Sequence, residues 1–157
     1  MTGCTVDTCG KGARIGRATI ELNGGGEINL VSVHASSGFK EDEMQCRAWQ
    51  FEQIFVDMCG AGPGATGDVS VVMGDFNQRI PRHGQPVGVA AALDRVLNGL
   101  TVHTAGNTDC GQLIDHIATS NNLVSSSVDV WSGDDEHERL SDHAGVAIDF
   151  NDRASVV

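Results

Sequence analysis

Four short segments hold the side chains that could do chemistry. They are Val31-Ser32-Val33-His34, Val72-Met73-Gly74-Asp75-Phe76-Asn77, Leu113-Ile114-Asp115-His116-Ile117 and Leu140-Ser141-Asp142-His143. In each, polar residues sit at the end of an expected strand. A rigid strand fixes a side chain there while the following loop leaves room for a substrate. Imidazoles can move protons near neutral pH, and carboxylates offer hard oxygens to a divalent cation. Together these are the kind of polar groups that an open sheet presents at its strand ends for catalysis. Each segment alone has a plainer reading: His34 as a polar turn residue, Asp75 and Asn77 as an Asx-turn or capping pair, Asp142-His143 as a loop dipeptide. Asp115 is harder to dismiss, because a carboxylate inside an apolar strand needs a partner. The four segments taken jointly favour a site.

The elements that must position them can be read from periodicity. Gly12–Leu22 alternates loosely through Ile15, Ala18 and Ile20 and ends at Asn23-Gly24-Gly25-Gly26, a strand and tight turn. Ile28–Val33 completes a hairpin. From Glu41 the period changes: Met44, Ala48, Phe51, Phe55 and Met58 fall at helical spacing, with Glu41, Asp42 and Glu43 on the first turn, where the helix dipole favours negative charge. Gly60 is the expected stop and Ala61–Gly67 a loop. Val69–Met73 reads as a strand buried on both faces. Val89, Leu93, Val96 and Leu97 predict a second helix, ended by Asn98-Gly99. Strands are expected at Leu100–His103, Leu113–Thr119, Val124–Val130 and Ala144–Phe150. Trp49 is expected to pack against the neighbours of the first helix, and Trp131 to be a rim residue beside the acidic loop Gly133–Glu138. The sum is an α/β (α+β) chain, mostly strands with two helices, in one domain over residues 1–157.

Composition limits the function. The chain carries 21 acidic against ten basic residues, a formal net charge of −11. Such a surface repels phosphate backbones at long range and disfavours a purely electrostatic nucleic-acid binder. It leaves room for an enzyme acting on phosphate esters, because a bound divalent metal inverts the local field. Hydrophobic residues make up 40%, enough for a packed core. No apolar run reaches the roughly 18–20 residues of a membrane span, and Met1–Gly10 lacks a signal-peptide pattern, so a soluble chain is expected. Five cysteines leave at least one outside any intrachain disulfide scheme. Cys4 and Cys9 are close enough for a small disulfide loop or a metal clip, although no second pair completes a zinc site. Cysteine usage leans mildly towards an exported origin. Arg79, Arg82 and His83 follow the Asp-Phe-Asn motif closely enough to reach a phosphate, but an ordinary surface loop is the favoured reading.

The order Val33-His34, Gly74-Asp75-Phe76-Asn77, Ile114-Asp115-His116-Ile117 and Ser141-Asp142-His143 resembles the endonuclease/exonuclease/phosphatase superfamily. These are deoxyribonuclease I-like, metal-dependent phosphoesterases. The resemblance runs from about Gly12 to Phe150. It implies the second half of a two-sheet, helix-flanked sandwich and hydrolysis of a phosphate ester by activated water. It also implies roles. His143 is the general base, Asp115 its orienting carboxylate, and Asp75 a water-orienting or metal-holding group. Asn77 donates to a phosphoryl oxygen or serves the metal, Asp142 is a metal ligand, and His34 is a phosphate contact or acid. The implied cofactor is Mg²⁺ or Mn²⁺.

The resemblance also implies an early Asn and a metal-binding Glu in a first half. Nothing before Gly12 supplies them, and Glu21 and Glu27 stand in a different context. The chain is therefore expected to lack the N-terminal half, and to need that half or a second copy as partner. Nucleic acid, a phospholipid head group and an inositol phosphate all remain open as substrates, since the same core residues serve each. A catalytically inactive scaffold that serves as an interaction module is the alternative.

Overall fold

The computed structural model describes residues 5–7, 9, 13–22, 25–60, 69–81, 87–108, 111–121, 123–132 and 141–151. In chain order the elements are β1 (Thr5–Asp7), β2 (Ala13–Glu21), β3 (Glu27–His34), α1 (Glu41–Gly60), β4 (Val69–Asp75), α2 (Val87–Leu97), β5 (Leu100–Val102), β6 (Asn107–Thr108), β7 (Gly111–Gln112), β8 (Asp115–Ser120), β9 (Val124–Trp131) and β10 (Gly145–Asn151). Six strands form one sheet in the order β1-β2-β3-β4-β8-β5. Among the described residues its one parallel pair is β3 and β4, joined through α1; the other described pairs are antiparallel. β9 and β10 form a separate antiparallel hairpin, and β6 and β7 a short ribbon.

Both helices pack on one face of the large sheet. Ile15 of β2, Val31 and Val33 of β3 and Val72 of β4 point into a core with Phe51 and Ile54 of α1 and Val89, Ala92, Leu93 and Val96 of α2. Strand residues alternate between faces, so the intervening positions look the other way. Ser32, Met73 and Ile117 on that second face share a hollow of about 240 Å³ with Ala144, Gly145 and Val146 at the start of β10. Burying the helix-facing side chains stabilises by roughly 1.5–3 kcal/mol for each large one.

α1 begins where its sequence allows. The Lys40 carbonyl accepts from the Met44 amide, and the Glu43 carboxylate accepts from the Lys40 amide, half of a capping box. Three expectations change. Trp49 is 55% exposed rather than packed, because it lies off the stripe set by Phe51 and Ile54. Cys9 is bonded to Cys46 of α1, 37 residues on, rather than to Cys4, so the disulfide pins the β1–β2 connection onto the helix. Leu113 and Ile114 precede β8 instead of belonging to it, although Leu113 is buried as expected. The loops Ala61–Gly67 and Gly133–Glu138 lie outside the described residues, as do Cys4, Arg82 and His83.

β1, β6 and β7 were not expected from periodicity; each is three residues or fewer. The other elements match their predicted places to within about two residues, the usual scatter of element ends. Among the described residues, no helix is long and apolar enough to cross a membrane.

His116 turns the core into a pH-sensitive element. It is fully buried, with Nε2 2.8 Å from the Gln78 carbonyl and Nδ1 2.9 Å from the Thr104 hydroxyl. The carbonyl can only accept, so Nε2 carries the proton and Nδ1 accepts from Thr104; Thr104 in turn accepts from the Ile117 amide. Burial lowers the His116 pKa below 6.5. The unfolded histidine therefore takes a proton first as pH falls. The stability from burying it neutral is complete above about pH 6.5 and declines below it, by at most about 1.4 kcal/mol per pH unit. Urea midpoints between pH 7.5 and 5.5 should fall accordingly, and the His116→Gln chain should show a flatter profile. Parallel profiles for the two chains would exclude this assignment.

Candidate active site

The sheet register brings the sequence-predicted groups together. His34 is the register partner of Asp75, and Asp75 of Asp115, so the three side chains lie in one row across β3, β4 and β8. All three alternate away from the helix-packed face, because Val33, Gly74 and His116 occupy the positions between. His34 Nε2 lies 3.6 Å from Asp75 Oδ2. The row is completed by the segment that precedes β10: His143 Nδ1 stands 2.9 Å from Asp115 Oδ2. Asp142 is largely exposed, with Oδ2 3.8 Å from His143 Nε2.

Asp75 and Asn77 form the Asx turn that the plainer reading allowed, and still face the row. The Asn77 amide donates to Asp75 Oδ1 at 2.7 Å, and Asn77 Nδ2 reaches both Asp75 Oδ2 and the Ala35 carbonyl at 2.9 Å. Asn77 holds φ of 48°, a left-handed conformation that Asn tolerates better than most side chains. Both amide hydrogens are thereby engaged. Donation to a phosphoryl oxygen requires one of them to exchange partners, whereas Oδ1 is not spoken for by these bonds.

Burial raises the Asp115 pKa, and the neighbouring Asp75 charge adds to the rise; His143 opposes it. The two partly buried carboxylates face each other, each with a histidine beside it. One ligand atom each from Asp75, Asp115 and His143 lies within 4.8 Å of the others, so these three residues could hold a metal ion. Oxygen-rich donors with an imidazole suit a hard or borderline divalent cation. The residues present thus fit such an ion.

Behind the row lies a polar layer that sequence reading missed. Arg47 of α1 is 3% exposed. Its Nε donates to the Ser36 carbonyl at 2.6 Å, Nη2 to the Gly38 carbonyl at 2.7 Å, and Nη1 to Gln78 Oε1 at 3.3 Å. Gln50 accepts from the Ser36 amide at 2.7 Å. One helix therefore ties together the loop after His34 and the loop after Asp75. The signal was present: Arg47 and Gln50 fall at helical spacing with Phe51 and Ile54, on the buried stripe. Two charged or polar residues on that stripe need buried partners.

The fold is that of the endonuclease/exonuclease/phosphatase proteins. An endonuclease/exonuclease/phosphatase protein from Beutenbergia cavernae superposes with a TM-score of 0.68 at 14% identity, over 96% of this chain and 44% of that one. The catalytic domain of human Nocturnin, solved with a bound sulfate anion, gives 0.69 at 17% identity, over 96% and 57%. Zebrafish TDP2 complexed with a single-strand DNA product gives 0.67 at 12% identity, over 97% and 68%. The chain spans about half the length of the first two. No protein-family model and no curated protein matches the sequence.

Proposed function

We propose that the chain carries the proton-transfer half of a Mg²⁺- or Mn²⁺-dependent phosphoesterase, hydrolysing a phosphodiester by direct attack of water. The observation that carries this is the row His34–Asp75–Asp115–His143. It is set on the fold that phosphate-ester hydrolases such as the Bacteroides thetaiotaomicron mannosyl-6-phosphatase also have.

His143 is the general base. Its Nδ1 faces the Asp115 carboxylate, which holds the proton on that nitrogen and leaves Nε2 to take one from water. Asp115 stabilises the imidazolium that forms. Asp75 orients the attacking water, and His34, at 3.6 Å from Asp75, contacts the phosphate or protonates the leaving oxygen. Asp75 would hold the metal, with Asp142 and Asn77 as the further ligands that the family resemblance implies; Asp75 also belongs to the cluster with Asp115 and His143 whose ligand atoms lie within 4.8 Å of one another. When bound, such an ion neutralises the non-bridging oxygens and the charge that builds on them. The substrate is a phosphate ester of nucleic acid, phospholipid head-group or inositol phosphate type, and a complementary first half or second copy completes the enzyme. The row of proton-moving groups argues against an inactive scaffold, which would need none of them.

The test is nicking of supercoiled plasmid and hydrolysis of bis(4-nitrophenyl) phosphate by the purified chain with Mg²⁺ or Mn²⁺. Turnover that EDTA abolishes and added metal restores is the expected result. Folded protein that turns over neither substrate with either metal would overturn an autonomous enzyme.

A further inference from the structure

A hollow of about 220 Å³ opens beside Asn77, lined by Gly38, Phe39, Arg47, Asn77, Arg79 and Ile114. Two of these six residues are arginines and none is a carboxylate, in a chain with 21 acids against ten bases. Arg47 is fixed in the wall by its bonds to the Ser36 and Gly38 carbonyls. Arg79 is exposed at the rim. Among the described residues, no hydrogen bond or ion pair engages its guanidinium. Like charges around one hollow repel each other, and an anion seated between them removes that penalty. Guanidinium forks match phosphate oxygens in shape as well as charge. Phe39, three quarters exposed, offers an apolar face at the same mouth.

We propose that this hollow is a subsite for a second phosphate. Arg79 holds that phosphate against the wall formed by Arg47 and Asn77, and Phe39 contacts whatever joins it to the scissile one. The inference rests on the phosphoesterase reading, which places the reaction at the row that includes Asp75, next to Asn77 in the wall of this hollow. It narrows the substrate to esters with two phosphates a short spacer apart. It also reconciles the strongly acidic surface with a phosphate substrate: a short polyanion is captured locally where a long one is repelled.

The experiment is titration calorimetry on the whole chain in Mg²⁺ with two ligand pairs. One pair is thymidine 3′,5′-bisphosphate against thymidine 5′-monophosphate; the other is inositol 1,4-bisphosphate against inositol 1-phosphate. At least one bisphosphate should bind about tenfold or more tightly than its monophosphate. A gain in the nucleotide pair assigns the second phosphate to a nucleotide, and a gain in the inositol pair assigns it to a polyol. Arg79→Ala should bring the ratio close to one. Arg95→Ala on α2 removes the same charge away from the hollow and should leave the ratio unchanged. Equal affinities within both pairs, absence of binding by all four ligands, or a preference that survives Arg79→Ala would overturn the subsite. Turnover of bis(4-nitrophenyl) phosphate, which has no second phosphate, reads the reaction separately. Loss of turnover with a retained bisphosphate preference would remove the phosphoesterase reading and keep the subsite.

Discussion

Replacing His143 by alanine is expected to lower phosphodiester hydrolysis at least about 10²-fold, the low end of what a positioned general base contributes. The side chain sits in the segment before β10 and is about one-third exposed. Removing it opens no cavity in the helix-packed core, so the unfolding free energy read from urea titration should change by no more than about 0.5 kcal/mol. Loss of rate without loss of stability separates a proton-transfer role from a structural one. Asp115→Asn should give a smaller loss. The amide keeps the shape but can neither hold the Nδ1 proton with full charge nor stabilise the imidazolium. Asp75→Asn should match or exceed the His143 effect, because Asp75 lies at the centre of the row, between His34 and Asp115. A His143→Ala chain that retains more than a fifth of the wild-type rate at saturating substrate would remove His143 from the chemistry.

Much of this arrangement was legible in the sequence, for a physical reason. Long elements advertise their character: β3, α1 and α2 bury one side in a period written in residue order, and β4 shows as a continuous apolar run. The site was legible because polar groups break the alternation at strand ends. What could not be read was the register, which alone decides whether His34, Asp75 and Asp115 share a row or scatter over two faces. Pairings between distant residues were equally hidden. Cys9 meets Cys46 of α1, 37 residues on, through the fold rather than through spacing in the sequence. Trp49 lies outside because its angle on the helical wheel sets it off the stripe of Phe51 and Ile54, whereas Arg47 lies inside because it falls on that stripe; residue type alone would place each the other way. β1, β6 and β7 are too short to carry a period at all.

The second large effect is expected at Gly74, where fold and site are joined by one missing methyl group. Gly74 has φ of 126°, and a Cβ built there would lie 2.1 Å from the Val33 carbonyl oxygen. That oxygen belongs to the neighbouring strand, in register with Gly74 across the parallel β3–β4 pair, so it cannot swing aside as a flexible side chain would. Gly74→Ala must therefore strain the backbone, push β3 from β4, or both. The expected destabilisation is about 3 kcal/mol or more, a large share of the roughly 5–15 kcal/mol that holds a typical domain folded. Any protein that still folds should lose hydrolysis as well, because Asp75 follows immediately and its carboxylate depends on the strand direction for its distance to His34. Gly16 of β2 is the control. A Cβ there meets nothing within 4 Å, and no positive φ is required. Gly16→Ala should be neutral or stabilising by up to about 1 kcal/mol, through the reduced freedom of the unfolded chain. Urea unfolding of the two variants beside the parent decides the matter. Equal midpoints for Gly74→Ala and Gly16→Ala would show that the β3–β4 contact yields easily, and that the glycine before Asp75 is not what holds the carboxylate in the row.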